Sequence, residues 1–300
     1  VSSLSVAHTT PVSIATGKTL SGAITVTAGS IKLDETGTLA SSISMSDGVL
    51  DADESLTVSG TLTHTGNITI DVADSKTLTY SGTAISLGAN TLTLSGGGSL
   101  VSGGLTLDDE DSKLLLNSIT VDSVSTSVDN TLGLDVDADS TVTSLSVANI
   151  TPVAIANTKT LSGGITVTAG SIKLTETGTL DSSISMSGGT LEADNSLTVS
   201  GTLTHTGNIT IDVTDTKTLT YSGTAISLGA YTLTLSGGGS LVSGGLTLDD
   251  EDSKLLLNSI TVDSVSTSAD SLGLDVDADS TVTSLLVANI TPVAIAGGSS

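Results

Sequence analysis

The sequence contains no cysteine, tryptophan or phenylalanine and only three tyrosines, and its eight basic residues are all lysines. Without cysteine there can be no disulfide framework, thiolate metal site or thiol catalysis. Nucleic acid is not an expected partner, because phosphate contacts and base stacking rely on arginine and aromatic side chains. No apolar run approaches the length of about 18 residues that a membrane-spanning helix requires, so we predict no such segment.

Positive charge is also scarce, since 32 acidic residues stand against eight basic ones and give a formal net charge of −24 over 300 residues. Hydrophobic residues nevertheless make up 37% of the chain. They are largely Leu, Val and Ile at regular spacing, which indicates a folded chain rather than a disordered one.

A long internal repeat dominates the sequence. Residues 55–127 recur at residues 196–268, a shift of 141 with only three differences in 73 positions. Near-identical copies indicate duplicated structural material rather than an enzyme. We predict one continuous fold in which residues 1–141 are the first long repeat, 142–281 the second, 282–296 the opening turn of a third, and 297–300 a Gly/Ser tail.

A shorter, looser repeat of roughly 20 residues, unequal in length from copy to copy, lies inside each long one. Its phrases, such as residues 21–26 and 59–64, alternate apolar residues with Ser or Thr, and Gly, Asp or Asn separates them. Such short strands suit the turns of a parallel β-solenoid. We therefore predict an all-β solenoid of about 15 turns with an aliphatic interior. A β-sandwich array of two domains is the alternative, because sandwiches also combine short strands with frequent turns.

Two aspartate-rich phrases, residues 134–140 and 274–280, are the candidate metal site. They supply six carboxylates that could bind calcium: Asp135, Asp137, Asp139, Asp275, Asp277 and Asp279. The phrases lack the Gly and the final acid of an EF-hand loop, so a calcium site here would be of another kind. The alternative is a solvated acidic strand face, with Leu134, Val136 and Ala138 pointing inward.

The other polar patterns favour structural roles. His64 and His205 occupy the position of Val26 in the matching phrase, which predicts inward-facing structural histidines. The acidic runs 108–111 and 249–252 predict charged loops that block sideways aggregation. Ser and Asp are so frequent that no catalytic triad or acid pair stands out, and we expect no enzymatic activity.

Two further patterns have simple interpretations. Thr-x-Thr pairs such as Thr25/Thr27 are typical of ice-binding arrays, but the unequal repeat lengths argue against a flat array and favour ordinary strand residues. Asn-Ile-Thr occurs at four places, which are glycosylation sequons in a suitable host and otherwise turn-plus-strand sequence: Asn67, Asn149, Asn208 and Asn289.

The Ser-Gly-x-Ile-Thr-Val … Gly-Ser-Ile-Lys-Leu pattern of residues 20–33 and its echoes resembles the repeat regions of long bacterial surface proteins. These are the β-strand-repeat adhesins, autotransporter passengers and filamentous-haemagglutinin-like exoproteins. The resemblance covers essentially the whole chain and rests on composition and period. It implies a right-handed parallel β-helix, secretion to the cell surface or medium, and a role as stalk or fibre. It carries over no functional residue.

We predict a secreted structural protein that forms or extends an extracellular fibre by stacking solenoid turns head to tail. Residues 282–296 reproduce the interior turn at 142–156, so the expected partners are copies of the chain or the continuation of a longer repeat chain. The alternative is a calcium-dependent adhesin or surface-layer module that attaches to a glycan or a surface. Calcium is the only cofactor that the sequence suggests.

Overall fold

The computed structural model describes residues 3–296, and this range is all-β without a helix. Its strands pair in parallel with strands of the neighbouring turns and build a β-solenoid of about 15 turns, which confirms the predicted fold class. The sandwich alternative is wrong, since a sandwich is built from antiparallel sheets. The tail at residues 297–300 lies outside the described residues.

The chain divides into two compact units. The first unit ends at Ser146 and also includes Leu161–Gly163, and the second comprises Val147–Thr160 and the chain from Gly164 onward. The division thus falls five residues after the long-repeat boundary at 141.

The first twenty strands are β1 (Ser3–Val6), β2 (Thr10–Val12), β3 (Thr19–Leu20), β4 (Ala23–Val26), β5 (Ser30–Leu33), β6 (Thr38–Leu39), β7 (Ser42–Met45), β8 (Val49–Ala52), β9 (Leu56–Val58), β10 (Leu62–His64), β11 (Ile68–Val72), β12 (Thr77–Tyr80), β13 (Ile85–Ser86), β14 (Thr91–Ser95), β15 (Ser99–Val101), β16 (Leu105–Leu107), β17 (Lys113–Asn117), β18 (Thr120–Thr126), β19 (Gly133–Val136) and β20 (Ser140–Val147).

The remaining strands are β21 (Thr151–Ile155), β22 (Thr160–Val167), β23 (Ser171–Leu174), β24 (Thr179–Met186), β25 (Thr190–Ala193), β26 (Leu197–Val199), β27 (Leu203–His205), β28 (Ile209–Val213), β29 (Thr218–Tyr221), β30 (Ile226–Ser227), β31 (Thr232–Ser236), β32 (Ser240–Val242), β33 (Leu246–Leu248), β34 (Lys254–Asn258), β35 (Thr261–Thr267), β36 (Gly273–Val276), β37 (Thr281–Leu286) and β38 (Val293–Ile295).

Each turn of the first unit contributes to three faces. The first face begins with the sheet β1-β4-β7-β10, the second is β2-β5-β8-β11-β14-β17-β19, and the third begins with β3-β6-β9-β12-β15. In later turns one long strand serves two faces. Strand β18, for example, pairs with β15 through Thr120 and Val121 and with β16 through Val124 to Thr126. In the second unit β21-β23-β25-β28-β31-β34-β36-β38 forms the second face.

The interior is built from columns of aliphatic side chains held in register. Ile31, Leu50, Ile70 and Leu94 follow one another across four turns of the second face and are almost fully buried. Burying one such side chain contributes roughly 1.5–3 kcal/mol. Because side chains alternate between the two sides of a strand, a slip of one residue would turn the whole column outward, and this penalty fixes the register.

The recurring Ser-Gly phrase has a steric cause at the corner between the third and first faces. A Cβ atom on Gly60 would lie 1.8 Å from the carbonyl oxygen of Ser41, and one on Gly201 would lie 2.0 Å from that of Ser182. Both distances are far inside van der Waals contact. Only glycine lets successive turns approach so closely at this corner.

Candidate functional site

The first carboxylate of each predicted calcium phrase already has a cationic partner. Asp135 in β19 pairs with Lys113 in the neighbouring strand β17 at 2.5 Å. Asp275 pairs with Lys254 in the same way at 2.7 Å. The lysine side chains therefore offset part of the repulsion among these neighbouring acids.

The other four candidate carboxylates lie beyond the strand ends. Strand β19 stops at Val136, so Asp137 and Asp139 are exposed in the loop that follows it. Asp277 and Asp279 occupy the same places after β36. The alternative of one strand with three outward Asp residues is wrong, because the chain bends after Val136.

No cluster of three or more His, Asp or Glu side chains that could hold a metal ion occurs between residues 3 and 296. Calcium binding to the six aspartates stays a prediction. Its most direct check is the shift of the melting temperature on adding CaCl₂, compared between the native chain and a variant with Asp137→Asn and Asp139→Asn.

Ion pairs also run along the outer side of the second face at its other turns. Lys32 lies between Asp51 at 3.4 Å and Asp53 at 2.5 Å. Lys173 lies between Glu192 at 3.3 Å and Asp194 at 3.1 Å. The second face thus carries lysines that lie beside carboxylates of the neighbouring turns.

These contacts shift the pKa values of the groups involved. The hydrogen bond with Asp53 raises the pKa of Lys32, and the one with Asp194 raises the pKa of Lys173. Burial raises the pKa of Asp51, and the nearby carboxylates of Asp53 and Asp71 add to the effect. Lys32 acts in the opposite direction on Asp51, but desolvation of that carboxylate outweighs the attraction.

The acidic runs form exposed loops in which an aspartate accepts hydrogen bonds from the preceding turn. Asp108 accepts hydrogen bonds from the Ser86 hydroxyl and, at 2.8 Å, from the Gly88 amide of the preceding turn. Asp249 does the same in the second unit with Ser227 and Gly229. The acidic runs therefore also link successive turns, a role that sequence reasoning missed.

The two histidines lie at the predicted register position. His64 follows Met45, which itself follows Val26, in one column of the first face. Its ring is half-buried, and Nδ1 is 3.1 Å from the Gly66 carbonyl oxygen. His205 repeats this contact with Gly207 and adds Ser227, whose carbonyl oxygen lies 3.0 Å from Nε2.

Ser and Thr side chains are aligned on the first face although the repeats differ in length. Ser5, Thr25, Ser44 and Thr63 occupy one column of the first face, each opposite the next and all exposed. Hydroxyl groups therefore align in these four turns, but the Thr-x-Thr pairs do not recur at one place, because Thr25 is the first residue of its pair and Thr63 the second of its own. The extra residues of longer repeats are placed in the loops between faces, so the strands keep their register.

The asparagines of two Asn-Ile-Thr phrases serve as links between turns. The Oδ1 atom of Asn67 accepts a hydrogen bond from the Thr91 amide at 2.8 Å. Asn208 accepts one from the Thr232 amide at the same distance. Both asparagines are exposed just before a second-face strand, in keeping with turn-plus-strand sequence.

The last described turn of the second unit exposes side chains that are buried in an interior turn of nearly the same sequence. Val153 and Ile155 in β21 are 1% and 3% exposed, because β23 continues the ladder beside them. Their equivalents in β38, Val293 and Ile295, are 48% and 75% exposed. Ile290, just before β38, is also 75% exposed.

An open groove in the first unit is lined by Thr16, Asp34, Glu35, Thr36 and Glu54. Two of its carboxylates are engaged, since Asp34 accepts a hydrogen bond from Ser13 at 2.7 Å and Glu54 pairs with Lys76 at 2.6 Å. These contacts give the groove a structural explanation.

Among the described residues there is no helix long and apolar enough to cross a membrane. No protein family, curated protein or solved structure matches the chain.

Proposed function

We propose that the chain is a secreted structural protein that forms or extends a cell-surface or extracellular fibre by adding solenoid turns to an existing ladder. Its role would be that of the bacterial surface proteins whose repeats it resembles, and it would be mechanical rather than catalytic. The observation that carries the proposal is that the turn at residues 282–296 pairs with the turn before it in the same register as the interior turn at 142–156 does.

The outer edge of the turn at residues 282–296 can accept a further turn. Strand β38 pairs with β36 on one side, and β37 pairs with β35, while their other sides bear no strand among the described residues. Unpaired strand edges offer backbone N–H and C=O groups to an incoming strand, which gains a full ladder of hydrogen bonds. The apolar side chains beside them add hydrophobic burial when the next turn arrives.

The edge serves two routes of growth, either continuation of the same polypeptide or stacking of a second molecule. In both routes the incoming turn would cover Val293 and Ile295 as β23 covers Val153 and Ile155. An end-to-end contact between unlike surfaces does not close on itself and produces an open filament.

Electron microscopy and sedimentation of the purified chain test the stacking route. We expect filaments from the native chain and their loss in a variant with Ile290→Lys and Ile295→Lys. The matched control is Val101→Lys with Val242→Lys, because these two valines are also exposed but lie on interior turns. Filaments that persist in the first variant, or vanish equally in the control, would contradict the proposal.

The continuation route is tested by appending a copy of residues 157–296 after residue 296. We expect hydrogen exchange of the β38 amides to slow to the rate of the β21 amides, because a following turn then covers them. If the β38 amides still exchange as in the native chain, the edge does not accept a following turn and the proposal fails.

A further inference from the structure

One face of the solenoid presents a small, uncharged and hydroxylated surface to solvent. In the first four turns its outward positions are all exposed, and seven of the eight carry a hydroxyl group: Ser3, Ser5, Ala23, Thr25, Ser42, Ser44, Thr61 and Thr63. We call these residues the hydroxyl face. Strand register places seven of them in two columns, and Thr61 lies just before β10. One column is Ser5, Thr25, Ser44 and Thr63, and the other is Ser3, Ala23 and Ser42.

The second unit repeats this surface. Its exposed outward positions on the first face include Thr166, Ser183, Ser185, Thr202 and Thr204. Ser185 and Thr204 stand opposite each other in register, as their equivalents Ser44 and Thr63 do. The same surface thus forms twice from the repeated sequence.

The charges of the strands are distributed unevenly around the solenoid. In the first unit, the lysines and acids within strands lie on the second face: Lys32, Asp51, Asp71, Lys113 and Asp135. The strands of the first and third faces of that unit carry a single one, Asp122 in β18. A chain with a net charge of −24 therefore keeps its hydroxyl face neutral.

We propose that the hydroxyl face packs against the hydroxyl face of a second copy, so that fibres of this protein associate side by side. This inference rests on the fibre function proposed above and adds a lateral contact to the end-to-end one. The partner is a second copy because the face is neutral, its hydroxyl groups can both donate and accept hydrogen bonds, and two copies have the same strand spacing.

Net charge determines which face can make the lateral contact between copies. In the first unit the strands of the second face carry three carboxylates against two lysines. Two copies that approach through this face therefore bring net negative charge together, which is repulsive. Two hydroxyl faces meet without fixed charge between them, and charges more than about 8 Å away are screened at physiological ionic strength. Lateral contact is therefore favoured through the hydroxyl face.

Hydrogen bonding and size make that contact self-complementary. Each Ser or Thr hydroxyl both donates and accepts a hydrogen bond, so one hydroxyl face can satisfy another. Side chains this small let two sheets approach to about 10 Å and interdigitate, as in dry sheet-to-sheet interfaces. Both partners have the same strand spacing, so contacts made at one turn recur at the next.

The available area explains why this contact belongs to a fibre. Four strands spaced about 4.8 Å apart and about 13 Å long cover roughly 250 Å². A stable pair of proteins buries about 800 Å² on each partner. One hydroxyl face therefore makes only a transient contact, and lasting association comes from many aligned turns acting together.

Cross-linking of single-cysteine variants tests the lateral contact, because the native chain has no cysteine. A bis-maleimide is applied to Ser44→Cys, on the hydroxyl face, and to Asn117→Cys, an exposed strand position on the second face. We expect at least about fivefold more dimer from Ser44→Cys, because like charges oppose contact through the second face. Equal yields, or more dimer from Asn117→Cys, would overturn the proposal.

A second variant separates the lateral contact from fibre formation. Thr25→Asp with Ser44→Asp places two carboxylates on the hydroxyl face, and electron microscopy then measures filament length and width separately. We expect filaments of native length but single width, and wide bundles of the charged variant would refute the lateral contact. If the native chain forms no filaments, the fibre proposal fails while the cross-linking result still decides the lateral one.

Discussion

The first and second faces are built from adjacent strands of the same turns, yet their outer sides differ in charge. Thr25 and Ser44 stand opposite each other on the first face, where Lys32 and Asp51 do so on the second. Beneath both pairs the strands bury aliphatic residues to the same extent. The fold therefore constrains the inward positions of every strand and leaves the outward ones free to specify separate surfaces.

The largest expected effect concerns the interior that the two faces share. Ile43→Ala under the first face and Leu50→Ala under the second should each lower the free energy of unfolding by about 2–5 kcal/mol, because each leaves a cavity. The control Ser44→Ala changes an exposed side chain and should stay within about 0.5 kcal/mol. Urea denaturation measures the free energy of unfolding of all three variants. If Ile43→Ala leaves it unchanged, the interior under the first face is not packed like that under the second.

The next effect concerns the ion pairs that distinguish the second face. Lys113→Met leaves Asp135 without its lysine and should lower the free energy of unfolding by about 1 kcal/mol. The loss should shrink at high salt and be partly recovered when Asp135→Asn is added. Lys254→Met is the matched variant in the second unit. A double-mutant cycle without coupling would show that the pair contributes nothing.

Moving the charge pattern onto the first face tests whether its neutrality is needed for stability. Thr25→Asp with Ser44→Asp puts like charges directly opposite and should cost about 0.2–1 kcal/mol. Thr25→Lys with Ser44→Asp imitates Lys32 and Asp51 and should leave stability near the native value. Urea denaturation compares the two variants, and a large loss in the second would mean that the fold itself requires a neutral face.

The smallest effect is the pH dependence contributed by Lys173. Its pKa is raised in the folded protein by the hydrogen bond with Asp194, so the stabilisation is fully present below the unfolded pKa of 10.5 and is lost as pH rises through the folded value. The native chain should lose under about 1 kcal/mol more stability across that range than Lys173→Met. If the urea midpoints of the two proteins change in parallel across that range, Lys173 makes no such contribution.

Much of the fold could be predicted from the alternation of residues. In Ser42–Met45 the pattern alone places Ile43 and Met45 inward, and both are buried. The same reasoning failed at Ala138, because local alternation does not reveal where a strand ends. The bend after Val136 depends on the length of loop needed to reach the next face.

The candidate site was less predictable. The sequence identified Asp135 as one of three neighbouring acids but gave no sign of Lys113, which lies one turn earlier in the chain and meets it only across strands. The hydroxyl face was missed for a related reason. Turns of different length keep their strands aligned, so alignment cannot be counted off along the sequence. Lys32 and Asp51 are separated by fewer residues than Asp71 and Ser95, for example, and yet both pairs are in register.

The sequence alone is enough to say which residues of most strands point inward, that the strands are short and stacked, and that Ser-Gly phrases recur. Those properties follow from local alternation and hydrophobicity. The contact of Lys113 with Asp135, and the single column of Ser5, Thr25, Ser44 and Thr63, exist only in the folded turns. Register between turns depends on how many residues of each repeat lie in the loops between faces, and packing of the whole turn determines that number.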